Sequence, residues 1–167
     1  MEFDPAFEKL LGHEGGFTDD PRDPGNWTGG RVNVGELRGT NFGIAANTYP
    51  NEDIRNLTVE RAKFIYRRDF WDAVRADELP PVVRYAVFDA AVNSGVRQSV
   101  RWLQRALGVR DDGALGPVTM AAVRAADADA LLRRVLATRL RFMTDLSTWP
   151  TFGRGWARRI ADLLRAA

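Results

Sequence analysis

The segment from Gly15 to Gly43 constrains the fold more than any other. It carries Gly15, Gly16, Gly25, Gly29, Gly30, Gly35, Gly39 and Gly43, with Pro21 and Pro24 among them. In a helix interior glycine costs about 1 kcal/mol and proline about 3 kcal/mol relative to alanine. No long helix crosses this stretch, whereas the sequence on both sides has helical periodicity. Upstream, Asp4 suits an N-cap and Pro5 the first helical position. Phe7, Leu10, Leu11 and Glu14 then fall on one helical face. Gly15-Gly16 stops that helix. Glu14 therefore ends an apolar stripe at an open end. Desolvation there raises a carboxylic acid's pKa, as a general acid working near neutrality requires. The competing reading is a solvated glutamate on a fraying turn. The two glycines weigh against it, because they let a ligand or another backbone come close.

Acidic residues follow in a proline-bounded loop. Asp19-Asp20-x-x-Asp23 copies a magnesium–diphosphate pattern, but that pattern needs a helix, which Pro21 and Pro24 exclude. A calcium loop needs ligands at alternate positions, a central glycine and a later glutamate, and this loop lacks that spacing. His13-Glu14 does not extend to a zinc-protease motif. With no cysteine and one histidine, thiolate chemistry is excluded and a histidine triad could run only through His13. We expect no metal and no cofactor.

Gly25 to Gly39, with alternating Val32-Asn33-Val34 and Leu37, reads as a glycine-rich hairpin. Thr40-Asn41-Phe42-Gly43-Ile44 follows as a short extended run. Trp27 and Phe42 are candidates to stack on flat ligand faces, or equally to pack on their own hairpin.

The order Glu14-Gly-Gly-Phe17, then Asp20-Pro21-x-Asp23-Pro24-Gly25, then Thr40-Asn41-Phe42-Gly43-Ile44 resembles the N-terminal signature of glycoside hydrolase family 108, the muramidases of phages and bacteria. The resemblance implies a mainly α, lysozyme-like fold of about seven helices, with a small β-hairpin wing near residues 26–45. It implies hydrolysis of the β-1,4 bond between N-acetylmuramic acid and N-acetylglucosamine in peptidoglycan, as in an endolysin. On it Glu14 is the proton donor. Asp23 and Thr40 flank the water side, and Asp20 is an alternative or supporting carboxylate. Trp27, Asn41, Phe42 and Asn93 are candidate substrate contacts. The sequence departs from the pattern at one place. Relatives reach Thr-x-x-Gly-Ile directly after the Asp-Pro-Gly turn, whereas here residues 26–39 intervene. Thr28 therefore rivals Thr40, which is preferred because Asn41-Phe42-Gly43-Ile44 follows it. Two other functions stay open: a lytic transglycosylase leaving 1,6-anhydro ends, and a non-catalytic wall-binding or virion protein.

The remainder reads as helices. Thr58 caps one carrying Val59, Ala62, Ile65, Tyr66 and Asp69 at helical spacing. Pro80-Pro81 opens another, with Val82, Tyr85, Ala86, Asp89, Ala90 and Asn93 on one side and Gly95 at its end. Its small residues suggest close packing all round, with Asp89 and Asn93 as polar insertions. Leu103-Gln104, Leu107, Asp112-Gly113, Leu115-Gly116 and Thr119 resemble the repeat of peptidoglycan-binding modules, in which the Asp-Gly turn is structural. Two further helices are expected, over 127–147 and around Trp156, Ile160, Leu163 and Leu164. The division expected is a catalytic lobe at 1–95 and a helical lobe at 96–167.

The net charge of +2 is unevenly spread. Residues 91–167 hold 13 Arg against 6 Asp, a net of +7, and residues 1–90 carry −5. Arg133, Arg134, Arg139, Arg141, Arg158, Arg159 and Arg165 are read as a solvated outer face, or as an attachment to anionic wall or membrane surfaces. The expected partner is the glycan strand of peptidoglycan, with no nucleic acid and a monomeric state. The start of the chain lacks the basic and apolar regions of a signal peptide. Synthesis in the cytoplasm and release through a holin-type pore are therefore expected.

Overall fold

The computed structural model describes residues 1–12 and 16–165. Among these are seven α-helices: α1 (Phe3–Leu11), α2 (Val59–Tyr66), α3 (Pro81–Ser94), α4 (Val96–Leu107), α5 (Pro117–Ala125), α6 (Ala128–Thr144) and α7 (Trp149–Arg165). Two strands, β1 (Thr40–Asn41) and β2 (Ile44–Ala45), pair antiparallel with Thr40 opposite Ala45 and Asn41 opposite Ile44. The chain is mainly helical with a small hairpin, as the sequence implied.

Packing divides the chain into two units, Phe3–Arg68 and Met1–Glu2 with Asp69–Ala167. This boundary differs from the division at 95/96 read from motifs. The reason is α3, which packs on α4 and α6 and so belongs with the C-terminal helices. A π-turn, Arg67–Trp71, carries the chain across the boundary.

In the first unit, α1 begins two residues before the expected first position. Asp4 thus lies in its first turn, where a carboxylate opposes the positive end of the helix dipole, and pairs with Lys63 at 2.9 Å. Phe3, Ala6, Phe7 and Leu10 are buried, and Leu11 is half-buried. Phe7 meets Tyr66 of α2 edge-on, with centroids 5.5 Å apart. Thr58 caps α2 by accepting from Arg61 N at 3.2 Å, as expected. The glycine-rich segment forms a wing. Trp27 bridges to Leu37, Thr28 N donates to Glu36 O at 2.9 Å, and Gly29 N donates to Val34 O at 3.1 Å.

In the second unit, α3 buries Val83, Ala86, Val87, Phe88, Asp89, Ala90 and Ala91. Burial on nearly all sides explains its small residues. Trp71 is fully buried edge-on to Phe88, 5.3 Å between centroids. Gln104 organises the α4–α5 connection. Its Nε2 donates to Asp112 Oδ1 (2.9 Å), Ala114 O (2.9 Å) and Thr119 Oγ1 (3.1 Å), and its Oε1 accepts from Gly113 N (2.8 Å). The Asp112-Gly113 turn is held from within. Asp127 caps α6 by accepting from Ala130 N at 2.8 Å.

Two sequence readings change here. Helix α7 starts at Trp149, before the expected Trp156 stripe, because Gly153 and Gly155 disguise its first turns. Gly153 is needed there: a β-carbon would lie 2.6 Å from the Trp149 ring. Arg139, read as an outer-face arginine, is instead 2 % exposed. Its Nη1 donates to buried Asp89 at 2.6 Å, and Arg159 Nε donates to the same carboxylate at 2.8 Å.

Candidate active site

Glu14, the expected proton donor, lies outside the described residues, as does His13. The other N-terminal candidates all belong to the loop–hairpin of the first unit.

Asp23 is exposed and caps a short 3-10 turn, Pro24–Asn26. Its Oδ1 accepts from Gly25 N at 2.8 Å. That Asx geometry, with proline at the first position of the turn, fixes where the carboxylate sits. Asn26, at the end of the same turn, is fully buried and ties the site together. Its amide donates to Asp20 O at 3.0 Å, and its Oδ1 accepts from Thr40 Oγ1 at 2.7 Å. Its backbone carbonyl accepts from Arg38 N (2.9 Å) and Gly39 N (3.0 Å). Its backbone N–H donates to Asp23 O at 3.1 Å, so Asn26 stands between the Asp23 turn and Thr40, seventeen residues from Asp23 in sequence.

Thr40 is also fixed by its backbone. It exchanges both hydrogen bonds with Thr18, at 2.9 and 2.8 Å, and pairs with Ala45 across the hairpin. The hydroxyl of Thr28 is used differently: it accepts from Glu36 N at 2.9 Å and closes the wing. The hydrogen-bond chain that reaches the Asp23 turn contains Thr40 and not Thr28.

Asp20 sits in a third environment. Its carboxylate accepts from Arg22 N (2.9 Å), Arg22 Nε (2.9 Å) and Arg22 Nη2 (2.7 Å). The side-chain bonds from Arg22, followed by its backbone N–H, hold the Asp20 carboxyl down at about 2. It is ionised throughout the neutral range, so it cannot serve as a proton donor there. The neighbouring Asp19 pairs with Arg55 at 2.8 Å, whose guanidinium lies 4.3 Å above the Phe17 ring.

The β1–β2 turn places the aromatic candidate. Phe42 (φ 49°) and Gly43 (φ 73°) both have positive φ, as a two-residue type I′ turn requires. A phenylalanine in this conformation is strained by about 1–2 kcal/mol. Tyr66 holds it, its hydroxyl donating to Phe42 O at 3.0 Å. Gly43 makes that approach possible, because a β-carbon there would lie 2.7 Å from the Tyr66 hydroxyl. Phe42 is half-buried. Asn41 is 7 % exposed, and its amide donates to Ile54 O at 3.1 Å. It lies in the hairpin wall rather than on its surface. Trp27 is half-buried and anchored by its indole N–H to Pro21 O at 2.9 Å. Asn93 lies in α3, in the other unit, and donates to Asp89 O at 2.7 Å.

Sequence reasoning missed Asn26. An asparagine after Pro-Gly reads as one more turn residue, and nothing in the local pattern marks it as buried. The only available signal was its place between the two motif halves. Among the described residues no cluster of three or more acidic or histidine side chains could hold a metal, and no helix is long and apolar enough to cross a membrane.

Comparison with known proteins bears on this arrangement. Residues 7–95 match the family model described as Glycosyl hydrolase 108, and residues 98–161 match one described as Predicted Peptidoglycan domain. The solved structure of SagA from Brucella abortus is 34 % identical, with a TM-score of 0.82 over 98 % of this chain and 92 % of that one. No curated protein matched the sequence. The fold is lysozyme-like, and the match to the peptidoglycan domain makes peptidoglycan the partner. The chain belongs to the glycosyl hydrolase 108 family, glycosidases acting on peptidoglycan.

Proposed function

We propose that this chain is a muramidase, hydrolysing the β-1,4 bond between N-acetylmuramic acid and N-acetylglucosamine. Glu14 protonates the glycosidic oxygen as the bond breaks. Asp23 stabilises the oxocarbenium-like transition state or orients the attacking water, and Thr40, held by Asn26, shares that orienting role. Asp20 stays with Arg22 as a brace of the loop. Trp27 and Phe42, both half-buried, are the sugar-stacking candidates.

The observation that carries this reading is the Thr40–Asn26 bond of 2.7 Å on the turn that Asp23 caps. A general acid alone suffices to break a glycosidic bond with internal capture. A carboxylate with a positioned hydroxyl is what a reaction that adds water needs. This favours a hydrolase over a transglycosylase.

The test is mass spectrometry of digested sacculi. Hydrolysis leaves reducing N-acetylmuramic acid ends, each carrying one added water. Ends of 1,6-anhydro-N-acetylmuramic acid would overturn the reading in favour of a transglycosylase. Digests without any new end would leave a wall-binding protein.

A further inference from the structure

Helices α3, α4, α6 and α7 line a partly open cavity of about 650 Å³, within the size range of small-ligand sites. Its wall includes Gln98 and Trp102 from α4, Arg139 and Phe142 from α6, and Trp156 and Arg159 from α7. Three of these carry a buried N–H group without a hydrogen-bond partner among the described residues: Gln98 Nε2, Trp102 Nε1 and Arg139 Nε. Trp102 is 1 % exposed and Arg139 is 2 % exposed. Leaving one such donor buried and unpaired costs about 1–3 kcal/mol, and more if it is charged. Three on one cavity is a costly arrangement unless something accepts from them.

All three are donors. The lining contains two guanidiniums and no carboxylate. Asp89, buried next to the wall, fixes both guanidiniums: Arg139 through Nη1 at 2.6 Å and Arg159 through Nη2 at 2.7 Å. The Arg139 guanidinium also lies 5.8 Å from the centre of the Trp102 ring, and that ring meets Phe142 edge-on at 5.4 Å. The positive groups are thus set in place before any ligand arrives, beside the aromatic walls of Trp102, Phe142 and Trp156. Such a site suits a carboxylate attached to an apolar body, because an anionic acceptor pairs most strongly with N–H and guanidinium donors and the aromatic side chains suit the rest.

We propose that this cavity is a carboxylate-binding site, and that its ligand is a carboxylate of the wall polymer. The proposal rests on peptidoglycan being the substrate, and it deepens that reading by giving the C-terminal region a defined chemical target. Two sources carry the group: the peptide stem, and the lactyl arm of muramic acid where the stem has been removed.

The experiment uses the full chain carrying Glu14→Gln, so that probes are not consumed. The readout is the Trp102 indole N–H resonance, assigned by its disappearance in Trp102→Phe. Three probes are titrated: a disaccharide–tetrapeptide, the same molecule with its carboxylates amidated, and the peptide-free disaccharide with a free lactyl carboxylate. A free-carboxylate probe should shift the resonance saturably, and amidation should weaken binding at least tenfold. Gln98→Leu should weaken it about tenfold, and Gln98→Glu, which adds a repelling charge, further still. Whichever free-acid probe moves Trp102 identifies the source. Equal binding of free and amidated probes, a stationary Trp102 resonance, or unchanged affinity in both Gln98 variants would overturn the proposal. Cleavage of sacculi by the parent protein, read as new saccharide ends, is measured in parallel. No new ends with a moving Trp102 signal removes the muramidase reading and keeps the site. New ends with a fixed signal do the reverse.

Discussion

The loop–hairpin of residues 16–57 and the helical unit from Asp69 onward are held together by different means. In the loop, order comes from short hydrogen bonds around Asn26 and from ion pairs at the surface: Asp20–Arg22, Asp19–Arg55, Glu36–Arg38 and Glu52–Arg61. Exposed pairs of this kind contribute little net stability. The loop also tolerates positive φ at Asn33 and Phe42. In the helical unit, order comes from apolar burial of residues such as Trp71, Phe88, Leu103, Leu131 and Leu136. Buried Asp89 is met there by two arginines, of which Arg139 is itself buried. The difference teaches where each kind of damage should appear. Changes in the loop should alter rate more than stability, and changes in the helices should alter stability first.

The strongest test of that contrast is Glu14→Gln. The amide preserves shape but cannot donate the proton. Activity on sacculi should fall by ~10²–10⁴-fold, the worth of general acid catalysis, with the melting temperature unmoved. Activity within threefold of the parent would take Glu14 out of the mechanism.

Next in size is Asp89→Ala, which leaves Arg139 buried without its counter-charge. Breaking a buried pair from one side costs about 3–5 kcal/mol, and for a chain of this length each kcal/mol lowers Tm by about 2–4 °C. A calorimetric drop of about 10 °C is expected. A variant that melts with the parent would show the cluster to be replaceable, and would break the contrast. The same cluster corrects the view of the basic half as a uniform electrostatic surface. Arg158 is exposed and free to meet an anionic wall, but reversing Arg159 would place a negative charge beside Asp89 and unfold the helices.

The third test asks whether the Asn26 network works as a unit. Asn26→Ala strands the Thr40 hydroxyl and the Asp20 carbonyl, at a cost of about 2 kcal/mol. Thr40→Val removes the same bond from the other side. Each should lower kcat by about tenfold, and the double variant no further, because the two share one interaction. Thr28→Val should spare kcat. A larger loss from Thr28→Val would move the catalytic threonine into the wing. Additive losses at Asn26 and Thr40 would mean that they act separately.

How much of this was legible in the sequence follows from the range of each interaction. The cap at Thr58 bonds within three residues, and a local pattern announces it. The Asp112-Gly113 turn was recognisable as structural, although its partner Gln104 was visible only as part of a repeat. The helical content and small wing follow from where glycine and proline cluster. The Asp89–Arg139 pair spans fifty residues. Periodicity put Asp89 on a packed helix but could not name its partner, so Arg139 read as solvated. The same limit hid Asn26, whose importance comes from Thr40, fourteen residues on. It also hid the cavity, which needs four helices to exist. The motif placed Asp20 and Asp23 in one loop without separating their roles; that separation comes from Arg22.

The smallest effect is therefore expected at Asp20, and it decides between the two carboxylates. Arg22 holds the Asp20 carboxyl at about 2, against about 3.9 for a free aspartate. A depressed folded pKa means that this group's contribution is fully present above about pH 4 and is lost as the pH falls toward 2. The pair is exposed, so the loss is small. Near neutrality Asp20 is ionised and committed to Arg22, and it neither donates a proton nor stands free to face a developing positive charge. Asp20→Asn should accordingly keep activity within about threefold of the parent and barely move the melting temperature at pH 7. A carboxyl resonance with its midpoint near 2 in the parent should vanish in the variant. Asp23→Asn should cost far more activity, since its carboxylate, with no arginine bound to it among the described residues, caps the turn that carries Asn26. A comparable loss from both variants would make the loop a two-carboxylate device. A large loss from Asp20→Asn alone would mean that the Arg22 pair opens when substrate binds, and would move the catalytic role to Asp20.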